Sequence, residues 1–165
     1  MKQTSIAVVT GASSGIGAAT AKALAAEGFH VIAAARRLDR LQALAQSEPA
    51  IEAFQLDVTD QTSVDSLAAH LKGKPVEVVV SCAGGAFDAD SVLDSDVANW
   101  QKTYEINVVG SVRVIKALTP LMSAHGRGHI VIISSTAGHR AYENGGSYVA
   151  AKFAETSLAH TLRLE

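Results

Sequence analysis

The chain holds one cysteine, three prolines and few aromatic residues, 5% in all. A lone Cys82 has no internal disulfide partner, and no C-x-x-C or H-E-x-x-H spacing is present, so a disulfide scaffold and a zinc site are both excluded. Basic residues are not in surplus either. Lys and Arg number 14 against 16 Asp and Glu, a formal net charge of −2, which leaves nothing to neutralise a nucleic-acid backbone. Nowhere do about 18 apolar residues run together, and the opening MKQTSIAVVTG is too short an apolar run for a signal peptide. Neither nucleic acid nor membrane is expected as a partner, and the expected location is cytoplasmic. What 165 residues at 48% apolar content do supply is the core of a single domain, read over 1–165.

Five short β-branched runs punctuate the chain: SIAVVT at 5–10, HVIAAA at 30–35, IEAFQL at 51–56, VEVVV at 76–80 and HIVIIS at 129–134. They are apolar on both faces, which suits parallel strands covered by helices on both sides. Between them, GIGAATAKALAAEG carries strong helix formers and ends at Gly28, a helix stop. A second helix is read from 38 to about 46, ahead of Pro49, and a third between Asp60 as N-cap and Gly73 as stop. One long amphipathic segment spans about 95–122, with Pro120 near its end. From Ser147 a last helix reads to Glu165 with no Gly, Asn or Pro to end it, as though cut within a helix. Five β-α repeats predict an α/β fold: a doubly wound, Rossmann-like parallel sheet with right-handed crossovers.

Strand one runs straight into TGASSGIG. Gly11, Gly15 and Gly17 permit close backbone approach to a pyrophosphate, Ser13 and Ser14 offer hydroxyls, and Ile16 opens the helix whose N-terminus favours an anion. The spacing departs from G-x-G-x-x-G, and the absence of G-K-[ST] excludes an ATPase phosphate loop. The alternative is a turn shaped by packing alone. After strand two come Ala35, Arg36 and Arg37, with no carboxylate before Asp39. An acidic residue there suits a free 2′-hydroxyl and arginine a 2′-phosphate, so NADP(H) is expected. Otherwise these arginines are solvated charges, although at a helix start they oppose the dipole unless an anion sits there.

Tyr148 and Lys152 are four apart and share a helix face. An ammonium beside a phenol favours phenolate and makes tyrosine a usable proton donor and acceptor near neutral pH. By itself the pair is also readable as an exposed helix contact. Ser134 and Ser135 close strand five at its carboxyl edge, where open α/β sheets place their ligands.

With these residues in place the chain resembles the short-chain dehydrogenase/reductase family. The resemblance covers essentially the whole chain and rests on TGASSGIG, LDVTD at 56–60, SCAGG at 81–85, Asn107 in INVVG, ISS ending at Ser135, and YVAAK. It implies an NADP(H)-dependent oxidoreductase that interconverts a small-molecule carbonyl and a secondary alcohol. Tyr148 would be the general acid/base, and Ser135 would hydrogen-bond the reacting oxygen. Lys152 would bind the nicotinamide ribose and favour the phenolate, and Asn107 would hold a water of the proton relay. Asp57 and Val58 would flank the adenine, and Ala83 and Gly84 would line the nucleotide. The resemblance also implies a homodimer or homotetramer joined through the helix before strand five and the last helix. Small residues there, among them Ala150, Ala151, Ala154, Ser157 and Ala159, permit close approach.

Two departures bear on these expectations. Ser81 and Cys82 stand where the family has two asparagines, which weakens the strut behind strand four, and nothing near Cys82 in sequence favours a thiolate. The family's sixth strand, lid and seventh strand have no counterpart here, so the domain reads as C-terminally incomplete, with an apolar strand edge over 131–133 left open. A nucleotide-binding fragment or sensor without turnover is the alternative function. Arg140, between Ser135 and Tyr148, is either a clamp for a substrate carboxylate or a solvated loop charge.

Overall fold

A computed structural model describes residues 4–124 and 126–165; Lys2 of the opening segment lies outside them. Strands β1 (Ile6–Thr10), β2 (His30–Ala35), β3 (Ile51–Gln55), β4 (Val76–Ser81) and β5 (His129–Ile132) form one parallel sheet in the order β3-β2-β1-β4-β5. The chain steps outward from β1 through β2 to β3, then crosses back to β4 and β5. The carboxyl ends of β1 and β4 therefore flank the switch point at which such sheets open a crevice.

The helices are α1 (Gly15–Ala26), α2 (Leu38–Ser47), α3 (Gln61–His70), α4 (Val97–Tyr104), α5 (Gly110–Ser123) and α6 (Gly146–Leu162). Successive strand residues feed two separate cores. Val8, Ile32 and Ala34 pack with Val64 and Leu67 of α3 and with Val114 and Leu118 of α5. Ala7, Val9, Val31 and Ala33 pack with Ala21 of α1 and Leu41 of α2. Both faces of the sheet are covered, which is why the strands read as continuous apolar runs. Each such Val, Leu or Ile, fully buried, contributes about 1.5–3 kcal/mol relative to exposure. Local signals set the element ends. Asp60 and Asp96 accept from the N–H groups of Thr62 and Ala98 as N-caps, worth about 1 kcal/mol each. Gly28 and Gly73 follow α1 and α3 at φ +89° and +77°.

The segment over 95–122 is helical from Val97 to Ser123, with a π turn at Glu105–Val109 between α4 and α5. Two boundaries depart from expectation. Helix α6 ends at Leu162, where the Leu164 N–H donates to the Thr161 carbonyl. Strand β5 ends at Ile132, so both serines lie beyond it, and Ser135 caps a short 3₁₀ turn, Thr136–Gly138.

Among the described residues β5 pairs only with β4, and Val131 is 42% exposed. A groove of about 800 Å³ lies against this strand, lined by Met122, Ile130, Ile132 and Ala159, with none of the candidate site residues in its walls. Of the small residues on α6, Ala151 is buried in the chain's own core, whereas Ala150, Ser157 and Ala159 are exposed. Among the described residues, no helix is long and apolar enough to cross a membrane.

Candidate active site

The glycine turn answers to two demands. A Cβ on Gly11, at φ +67°, would stand 2.8 Å from the Cys82 carbonyl, and one on Gly17 would stand 2.5 Å from the Gly11 carbonyl. Both are therefore held as glycine by close backbone packing. Gly15, at φ +54°, would carry its Cβ into open space. Ser14 is the N-cap of α1 but makes no side-chain cap bond, and the first turn has no acidic residue. Side chains thus leave the N-terminal amides of α1 to an outside acceptor.

A groove of about 330 Å³ runs from this turn across the sheet edge. Its walls bring together Gly11, Ser13, Ser14, Ile16, Gly17, Arg36, Arg37, Asp57, Val58, Ala83 and Gly84. Arg37, from the end of β2, reaches over the turn: Nε and Nη2 donate to Ser13 Oγ at 3.1 and 2.8 Å, and Nη2 to Ser14 Oγ at 2.7 Å. Burial acts to raise the Asp57 carboxyl. The Thr59 N–H and hydroxyl, at 2.9 and 2.7 Å, and the charge of Arg36 outweigh it and hold the group below the usual carboxylate range.

Asn107, Ser135, Tyr148 and Lys152 lie outside the walls of this groove, beyond Gly84. Asn107 sits fully buried in the π turn, an irregularity often found at functional sites. Its Nδ2 donates to the carbonyls of Thr103 and Gly85 at 2.6 and 2.7 Å, and its Oδ1 accepts from the Gly85 N–H at 3.2 Å. The whole amide clamps the loop after β4. Its main-chain carbonyl accepts from the Ser111 hydroxyl at 2.6 Å, and Ser81 donates to Ser111 at 2.8 Å. Thr10 Oγ1 accepts from the N–H groups of Cys82 and Ala83, each at 3.0 Å. The strut expected to suffer from Ser81 and Cys82 is thus supplied by Thr10 and Ser111. Neither was singled out from the sequence, where a hydroxyl ending strand one was the only hint.

Lys152, 5% exposed, donates from Nζ to the Ile133 carbonyl at 3.0 Å and lies 5.5 Å from the Tyr148 ring centroid. A Cβ on Gly84 would fall 2.3 Å from Asn107 Oδ1 and 3.6 Å from Lys152 Nζ, so these three residues converge where the groove meets α6. Ser134 is turned to the helix, its hydroxyl on the Lys152 carbonyl at 3.1 Å. Ser135 Oγ accepts from the Ala137 N–H at 3.1 Å, which leaves its own hydrogen to donate. Burial pushes the Cys82 thiol up against the pull of Lys152, and Glu155 adds to the rise, so no reactive thiolate forms there. Arg140 is exposed. Among the described residues, no cluster of His, Cys, Asp and Glu is arranged to hold a metal.

The family model for short chain dehydrogenases matches residues 5–165. An uncharacterised oxidoreductase of Mycobacterium tuberculosis is 48% identical over 160 residues, covering 97% of this chain and 62% of the relative. A short-chain dehydrogenase from Streptomyces avermitilis superposes with a TM-score of 0.90 at 35% identity, over 97% of this chain and 60% of that one. The closed form of a serine dehydrogenase complexed with NADP⁺ superposes with a TM-score of 0.91 at 31% identity, over 96% and 65%. The chain spans less than two thirds of the length of each of these three proteins.

Proposed function

The chain belongs to the short-chain dehydrogenase family, and from that premise we propose that it is an NADP(H)-dependent oxidoreductase interconverting a carbonyl and a secondary alcohol, with 1–165 as its nucleotide-binding and catalytic domain. The observation that carries this reading is a groove at the carboxyl edge of the sheet that begins at an uncapped helix terminus under an arginine and reaches Gly84, beside which lie the buried Lys152 ammonium and Asn107. Tyr148 stands next to that ammonium, outside the groove's walls.

The groove fits a dinucleotide. The uncapped amides of α1 and the open face of Gly15 suit a pyrophosphate. Arg36 and Arg37, with Ser13 and Ser14, suit a 2′-phosphate, and the similar serine dehydrogenase is known with NADP⁺ bound. Asp57 and Val58 would flank the adenine, while Ala83 and Gly84 would line the nucleotide. When bound, the nicotinamide supplies or accepts the hydride.

The remaining chemistry belongs to the chain. Tyr148 gives its phenolic proton to the carbonyl oxygen as charge develops there, and takes a proton back in the oxidative direction. Ser135 donates its hydroxyl hydrogen to the same oxygen. Lys152, its ammonium near the Tyr148 ring and beside Gly84, would hold the ribose hydroxyls of the bound nucleotide. Asn107 has its amide engaged with Thr103 and Gly85 and its main-chain carbonyl with the Ser111 hydroxyl, so it acts as the clamp on the nucleotide loop.

Steady-state oxidation of NADPH with a panel of small ketones and aldehydes tests the proposal. Turnover with at least some of them is expected. Tight NADPH binding without turnover across the panel would favour the alternative, a nucleotide sensor.

A further inference from the structure

Two ionisable groups of opposite sign lie buried side by side beneath the candidate active site. Lys152 and Glu155 are 5% and 2% exposed, one turn apart on α6, with Nζ 2.8 Å from Oε2. At that distance the ammonium and the carboxylate form a close buried ion pair. The chemistry proposed above uses Lys152 alone, and burying a second charge beside it is costly unless the pairing itself has a use.

The geometry supplies one. Nζ is held on its other side by the Ile133 carbonyl at 3.0 Å, with Tyr148 5.5 Å away and the groove opening at Gly84. A carboxylate against the ammonium offsets the positive charge that favours the Tyr148 phenolate. We propose that Glu155 is a positioning residue: it holds the Lys152 ammonium against Ile133 and, by offsetting its charge, sets the pH range over which Tyr148 exchanges its proton. The proposal rests on the assignment of Tyr148 and Lys152 as the proton-transfer pair.

Other ionisable groups near α6 are accounted for. Cys82, just past β4, feels the opposite charges of Lys152 and Glu155 in opposite directions. Asp88 accepts from the Ser147 hydroxyl. Tyr104 and Glu105 approach Ser147 and Ala150, with Glu105 paired to Arg113 at 2.6 Å. The turn after β5 contributes the Ile133 carbonyl and the Ser134 hydroxyl, which do not titrate in this range. Burial pushes the Glu155 carboxyl up against the pull of Lys152. Glu155 therefore takes up a proton more readily than an exposed glutamate.

Glu155→Gln keeps the side-chain shape and removes the charge. In the alcohol-oxidising direction kcat rises with pH as Tyr148 becomes able to accept a proton, and in Glu155→Gln this rise is expected about half a pH unit lower or more. A residue that only packs would change kcat alike at every pH, so a rise at the parent's position overturns the proposal. A second readout needs no turnover. Cys82 is the one cysteine of the chain, and its thiolate absorbance, read against a Cys82→Ala control, is expected at lower pH in Glu155→Gln. An unmoved thiol overturns the placement of Glu155 whether or not the enzyme turns over. Should Glu155→Gln fail to fold, a carbon-13 carboxyl titration of the parent decides: one glutamate ionising above the ordinary range is expected, and none doing so overturns the proposal.

Discussion

In the nucleotide groove the arginine and serine side chains are exposed and bonded mainly to one another, whereas beyond Gly84 Asn107 and Lys152 are buried and bonded to the fold. Arg37, Ser13 and Ser14 meet in an exposed cluster, and α1 begins without a side-chain cap. Asn107 and Lys152, by contrast, are 0% and 5% exposed, with Asn107 bonded at both ends of its amide and Lys152 fixed between a carbonyl and a carboxylate. A charged ligand brings its own strong bonds to the first region, so its partners can adjust as it arrives. Proton transfer offers no such reward in advance, and the groups that perform it must be set before the substrate binds.

The largest effect separates the two regions most sharply. Tyr148→Phe removes only the proton-transfer group, and kcat is expected to fall by about two to four orders of magnitude with NADPH affinity within a few-fold of the parent. Parallel losses in kcat and in fluorescence-titrated NADPH affinity would show that the regions are not separable. The complementary substitution, Arg37→Ala, is expected to lower the preference for NADPH over NADH by about tenfold, roughly 1.4 kcal/mol, and to leave kcat at saturating NADPH nearly unchanged. An unaltered preference would remove Arg37 from the phosphate site.

The smallest effect is on stability, and it has opposite signs in the two regions. Asp57 is held below its unfolded value, so its contribution is present above about pH 4 and is lost as pH falls through the lowered folded value. Glu155 is raised, so its contribution is fully present below its unfolded value of about 4.3 and is lost as pH climbs through the raised folded value. Urea midpoints measured across acid to neutral pH are expected to fall less steeply on acidification in Asp57→Asn, and less steeply toward neutrality in Glu155→Gln. Curves for both variants that run parallel to the parent would contradict this assignment.

Much of the fold was legible because its signals are local. The five apolar runs became the five strands with shifts of one or two residues at their ends, and Gly28, Asp60 and Gly73 marked helix ends where expected. The long segment over 95–122 is helical from Val97 to Ser123 as read, but its π turn at Glu105–Val109 was not legible because it leaves the apolar periodicity almost undisturbed. Periodicity alone does not distinguish Ser134 from Ser135, and only the resemblance singled out Ser135; in the structure α6 draws Ser134 onto the Lys152 carbonyl, while Ser135 caps the following 3₁₀ turn.

The amino-acid order by itself determined the parallel α/β sheet, the glycine turn and the Tyr148–Lys152 pair, because each is written within a span of a few residues whose periodicity or spacing has one low-energy form. The tertiary structure alone decided which groups support them. Arg37 reaches Ser13 across 24 residues, and Thr10 reaches Cys82 across 72. Glu155 stands three residues from Lys152, close enough to notice, yet in sequence it reads as one more exposed helix charge. Its burial depends on what packs over that face of α6. Exposure is a property of the assembled layers, and it is exposure that turns an ordinary carboxylate into a charge able to act on its neighbours.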